Sequence, residues 1–89
     1  MQTKKIEIIN KLGMHARAAT KLAGIAGHYS SNIKISLDNK AIDAKSIMSL
    51  MLLAACKGTV IKVTTEGPDE VEAMSAVETL INNRFDEGE

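Results

Sequence analysis

Three short runs of the chain alternate between apolar and polar residues, and the segments between them do not. From Thr3 to Ile9, Ile6 and Ile8 fall on one side and Lys5 and Glu7 on the other. Ile33, Ile35 and Leu37 alternate with Lys34 and Ser36, and Val60 to Glu66 turns about Ile61, Val63 and Thr65. A period of two places alternate side chains on opposite faces of a strand, so each run has one apolar and one solvated face. Strands of that kind belong in an antiparallel sheet that meets water on one side. Asp38 and Asn39 supply a turn into a further short strand, Lys40 to Ala44.

Between these runs the period lengthens. Ala16 to about Gly27 reads as a helix in which Ala19, Leu22, Ala23, Ile25 and Ala26 recur at helical spacing, with Gly27 as its cap. Ser46 opens a second helix running to about Cys56 and closed by Lys57 and Gly58. After Gly67 and Pro68, Asp69 and Glu72 have the spacing of a capping box for a last helix, whose inner face carries Ala73, Met74, Val77, Leu80 and Ile81. The order is βαββαβα. The expected class is α+β: one four-stranded antiparallel sheet covered on one face by three helices, in a single domain spanning residues 1–89.

Composition narrows the function. An 89-residue chain buries roughly 60–65% of its unfolded surface in one core, which leaves little room for a deep cleft. Lys plus Arg equals Asp plus Glu at 11 each, so there is no bulk positive field to favour nucleic acid or membrane. One Tyr, one Phe and no Trp leave no stacking platform for RNA. The single cysteine has no internal disulfide partner, and neither a signal peptide nor a bilayer-length apolar run stands out, so the expected compartment is the cytoplasm.

Chemistry concentrates in KLGMHARAATKL, residues 11–22. His15 and Arg17 stand at the start of the first helix, after Gly13. A helix N-terminus has backbone N–H groups without intrahelical partners and a partial positive charge, so an anion there gains about 0.3–1 kcal/mol. That pole disfavours imidazolium and keeps a ring nitrogen available as a nucleophile. A phosphoryl group on His15 would find acceptor-seeking amides and the Arg17 guanidinium beside it. The plain alternative is a surface histidine that caps the helix next to a solvated arginine. A zinc site is disfavoured because His15, His28 and Cys56 form no close ligand pair; His28 is expected exposed and Cys56 in the core. A Cys-His hydrolase lacks a third orienting group.

The stretches GMHAR, AKSIMSLMLLAACKGT and TTEGPDEVEAM, with the length and element order, resemble the histidine-containing phosphocarrier family, HPr, of the bacterial phosphotransferase system. The resemblance covers essentially the whole chain. It implies an open-faced sandwich that accepts a phosphoryl group from phosphorylated enzyme I and passes it to enzyme IIA proteins. The acceptor it implies is Nδ1 of His15, with Arg17 as the motif arginine. Ser46 matches the serine that HPr kinase/phosphorylase phosphorylates from ATP in many members. A monomer without a cofactor or bound metal is expected. Many members have proline after the motif arginine, where this chain has Ala18; alanine is the best intrinsic helix former, so the helix start should survive.

The helix from Ser46 is apolar nearly all round. Leu50, Leu53 and Ala54 are expected in the core. Ile47, Met48 and Met51 are expected to form an exposed docking patch, because flexible methionines suit a surface that must fit several partners. The terminal FDEGE reads as a frayed, solvated tail. A different function class keeps the fold without the chemistry: a regulatory docking module acting through the second helix, including the nitrogen-linked branch of the same system. The presence of His15 and Arg17 speaks against a module that only docks.

Overall fold

Burying one isoleucine or leucine yields about 1.5–3 kcal/mol, whereas helix propensities differ by about 0.7 kcal/mol per ordinary residue, so the apolar pattern decides the fold. The computed structural model describes residues 1–87. In it the runs become β1 (Gln2–Glu7), α1 (Ala16–Ala26), β2 (Asn32–Leu37), β3 (Lys40–Asp43), α2 (Ile47–Leu53), β4 (Val60–Glu66) and α3 (Glu70–Asn82), followed by a short helical turn, Arg84–Asp86. The four strands form one sheet in the order β1-β4-β2-β3, every neighbour antiparallel.

Register follows the alternation. Ile6 faces Ile61, and Ile35 faces Val63 on one side and Ile42 on the other, so the apolar residues line one face of the sheet. Helix α3 packs over β1 and β4, α2 over β3, and α1 between the other two helices. Ile8, Leu22, Ile33, Ile35, Leu50, Ile61, Val77 and Ile81 are fully buried between the layers. All five residues expected on the inner face of the last helix are buried there. The opposite sheet face carries Lys5, Lys34 and Lys62 to solvent.

Five local expectations are corrected. Helix α2 stops at Leu53 rather than near Cys56, because Ala54 adopts left-handed backbone (φ 55°) and its N–H bonds to the Met51 carbonyl. That turn sends Ala55 inward and leaves Ala54 exposed, not in the core. Cys56 is likewise exposed rather than packed, with its Sγ 3.7 Å from the Thr59 hydroxyl.

Asp69 precedes α3 but makes no side-chain capping bond. Its carboxylate instead accepts from the Ser30 and Ser31 backbone N–H groups and the Ser31 hydroxyl, tying the start of α3 to the segment before β2. Half of the pair that a capping box would form occurs two residues earlier, where Gly67 N–H donates to Glu70 Oε1, while Glu70 N–H closes a backbone turn on the Gly67 carbonyl. Gly67 sits at φ 152°, and a Cβ there would come within 2.6 Å of Ser31 Cα, so no other residue fits.

The tail is not frayed over its described part. Phe85 is fully buried, and Glu87 reaches the start of α1. One aromatic ring supplies enough apolar area to dock an otherwise acidic segment. The last two residues of FDEGE lie outside the described range.

Candidate functional site at the start of the first helix

The loop from Asn10 to His15 is tied at several points. Gly13 N–H donates to the Asn10 carbonyl at 3.2 Å, and Asn10 Nδ2 returns a bond to the Gly13 carbonyl at 2.9 Å. Met14, buried, donates its N–H to the Ala55 carbonyl at 2.7 Å. Gly13 has φ 66°, and a Cβ there would lie 2.6 Å from the Ala55 carbonyl and 2.7 Å from Cys56 Cα. Glycine is therefore required twice, by dihedral and by close approach. The consequence is that the exit of α2 clamps the loop that presents His15.

His15 is the N-cap of α1, with extended backbone (φ −84°, ψ −178°) and its carbonyl accepting from Ala19 N–H at 2.8 Å. Its ring does what a Ser or Asp side chain usually does: Nδ1 accepts from the Arg17 N–H at 3.3 Å. An acceptor nitrogen must carry a lone pair, so the neutral ring bears its proton on Nε2. There Nε2 meets the Glu87 carboxylate, through Oε2. The other carboxylate oxygen accepts from Asn10 Nδ2 at 3.0 Å. Burial acts to raise the Glu87 pKa, but the hydrogen bonds from Asn10 and His15, with the favourable electrostatics of His15 and Arg17, outweigh it and hold the carboxyl below its ordinary 4.5. The Arg17 side chain is exposed at the same turn, and Ala18 is fully buried.

Ser46 is the N-cap of α2, as expected, its hydroxyl accepting from Ser49 N–H at 3.2 Å. Ile47, Met48 and Met51 are 42%, 66% and 42% exposed, and Leu52, not expected in the patch, is 72% exposed. His28 is exposed beyond the far end of α1, whose 11 residues span about 16 Å by helical rise. Among the described residues no cluster of three or more His, Cys, Asp or Glu side chains could hold a metal, and no helix is long and apolar enough to cross a membrane.

Two residues of the site, Asn10 and Glu87, escape the sequence. Glu87 lies 72 positions from His15, beyond any local pattern. The one signal for it is Phe85, an isolated apolar residue in an acidic tail.

The molecule is thus an open-faced sandwich whose solvent-accessible histidine caps the first of three helices. The chain matches the family described as "PTS HPr component phosphorylation site" over residues 2–83. It is 52% identical to the phosphocarrier protein HPr of Cupriavidus necator across the full length of both chains. Crystal structures of HPr from Thermoanaerobacter tengcongensis are 45% identical: one, HPr-C-His, covers 98% of each chain with a TM-score of 0.94. A second, described as a dimer, covers 96% of this chain and 98% of its own with a TM-score of 0.77. The chain belongs to the HPr phosphocarrier family of the phosphotransferase system.

Proposed function

We propose that His15 accepts a phosphoryl group at Nδ1 from phosphorylated enzyme I and passes it to enzyme IIA proteins. The observation that supports this reading is the ring geometry: the Nδ1 lone pair lies at the helix start, where it accepts a long, 3.3 Å bond from Arg17 N–H. Attack on phosphorus exchanges that weak bond for one from the same N–H to a phosphoryl oxygen. The helix start and the Arg17 guanidinium then face the new negative charge. No cofactor is needed, because the donor supplies the activated group. Partners dock on Ile47, Met48 and Met51, with Leu52 extending the patch. This reading puts the protein in the cytoplasm with its partners, working as a monomer.

A phosphate on Ser46, added by a kinase of the HPr kinase/phosphorylase type, adjoins this patch and regulates docking. The exposed methionines also support the second reading, a regulatory module that acts through α2 in the nitrogen-linked branch. Incubation with phosphoenolpyruvate and enzyme I separates the two. The carrier gains one phosphoryl mass, labile in acid and stable in alkali, and His15→Ala abolishes it. A docking module gains none, and a label that persists in His15→Ala moves the site, with His28 the next candidate.

A further inference from the structure

We infer that Glu87 is a positioning residue for the phosphoryl acceptor: its carboxylate fixes the His15 ring in the tautomer and orientation that leave Nδ1 as the nucleophile. This rests on the reading of His15 as the acceptor. An imidazole has two nitrogens that compete for one proton, and only the bare one can attack phosphorus. A carboxylate has no proton to give, so its hydrogen bond to Nε2 requires the proton to be there. The lone pair then stays on Nδ1, at the helix start.

The contact is built rather than incidental. The Glu87 side chain is only 9% exposed and that of His15 26%, unlike a surface pair of waving side chains. Both carboxylate oxygens are engaged, Oε2 by His15 and Oε1 by Asn10. Asn10 is itself fully buried and spends its amide group on Glu87 and on the Gly13 carbonyl, two residues before His15. The ring and the loop that presents it are therefore held by one network.

The backbone leading to Glu87 is unusual in the same sense. Arg84, Phe85 and Asp86 all have left-handed backbone, with φ of 55°, 53° and 62°. Each such non-glycine residue is strained, so three in succession persist only if the surroundings compensate. Buried Phe85 does so, together with the bond from Lys21 Nζ to the Phe85 carbonyl at 3.0 Å. The turn ends by placing Glu87 on His15.

In the transfer step the Nδ1 lone pair forms the new N–P bond. The P–N bond to the phosphohistidine of the donor breaks, and its electron pair returns to the donor nitrogen. The proton on Nε2 does not move. As the bond forms the ring gains positive charge, which the Glu87 carboxylate faces across the hydrogen bond, much as the carboxylate of a catalytic triad faces its imidazolium.

The test uses the ring ¹⁵N resonances of His15 in the unphosphorylated protein at alkaline pH, together with the rate of phosphoryl acceptance from phosphorylated enzyme I, for the parent, Glu87→Ala and Glu87→Gln. The parent should show one tautomer, with Nδ1 unprotonated. Glutamine fills the space of glutamate but has one acceptor oxygen for two donors and no charge. Both variants should therefore drift toward a tautomer mixture, and kcat/KM for acceptance should fall about tenfold in the alanine variant, with a smaller loss for glutamine. Ring resonances unchanged in both variants overturn the role of Glu87. So does a glutamine variant that matches the parent while alanine does not, since that outcome assigns Glu87 to packing. A parent that takes no phosphoryl group at all overturns the acceptor reading instead, and the ring resonances tell the two failures apart.

Discussion

At Arg17 and Ser46 the structural role of a residue can be separated from the chemical role proposed for it. The Arg17 N–H serves the fold, through His15 Nδ1, while its guanidinium is exposed at the same turn. Arg17→Ala keeps the N–H, so it should leave thermal stability close to the parent value while slowing phosphoryl transfer in both directions, as measured by stopped-flow or quench-flow. Unchanged transfer kinetics would show that the guanidinium is merely solvated. Ser46 divides differently. Its hydroxyl caps α2 through Ser49 N–H, so Ser46→Ala should cost on the order of 1 kcal/mol in denaturant unfolding and keep transfer activity. Ser46→Asp retains a capping acceptor and adds a negative charge at the positive helix end, so stability should hold. That charge borders Ile47 and Met48, and enzyme I affinity measured by calorimetry should fall. Equal affinity for parent, the aspartate variant and the phosphorylated protein would leave Ser46 a cap and nothing more.

Individual elements differ in how plainly they were written in the sequence. Strands β1, β2 and β4 and the faces of α1 and α3 are legible because a half-buried strand or helix must alternate at its own period, and these do, whereas β3 is legible from the turn that precedes it. The end of α2 is not legible. LLAAC offers no polar residue to mark an inside and an outside, and the stop depends on Ala54 turning left-handed so that Ala55 can receive Met14 N–H. Asp69 shows the same limit: its spacing to Glu72 fits a cap, but two serines 38 and 39 positions away compete for its oxygens and win. His15 and Arg17 were readable as a helix-start pair, whereas Asn10 and Glu87 join them only once the C-terminal turn has folded back. That turn should depend on its anchor. Phe85→Ala removes a fully buried ring and should destabilise by about 3–5 kcal/mol, and it should disturb the His15 ring resonances as Glu87→Ala does. A variant that lost stability yet kept native His15 resonances would show that Glu87 finds its place without the anchor.

Acid should reveal the Asp69 tie at the same scale. Hydrogen bonds from the Ser31 hydroxyl and the Ser30 N–H, with that of Ser31 N–H, outweigh desolvation and hold the Asp69 carboxyl below its ordinary 3.8. A carboxyl whose pKa is depressed on folding stabilises the native state fully above its unfolded value, and that contribution disappears as pH falls through the folded value. Thermal midpoints should therefore decline with a component that begins near pH 3.8 and continues below it, and Asp69→Asn should remove that component. Parallel pH curves for parent and variant would mean that the tie contributes nothing to stability.

For the whole molecule, one sheet with a wet face and a helical face places every proposed working part on the helical side. The loop carrying His15 rests on the exit of α2, and α2 in turn exposes Ile47, Met48, Met51 and Leu52, the patch proposed for docking. A partner docked there would sit on the element whose exit holds the loop that presents Nδ1. This arrangement suits a carrier, which must hand its cargo to one protein after taking it from another. Positioning and electrostatics do most of the work in such a transfer. The most direct measurement is ³¹P and ¹⁵N NMR of the protein after reaction with phosphoenolpyruvate and enzyme I. One phosphoryl group on Nδ1 of His15, with Nε2 still protonated toward Glu87, is the expected result; a phosphoryl group on Nε2, on another residue or on none would contradict it.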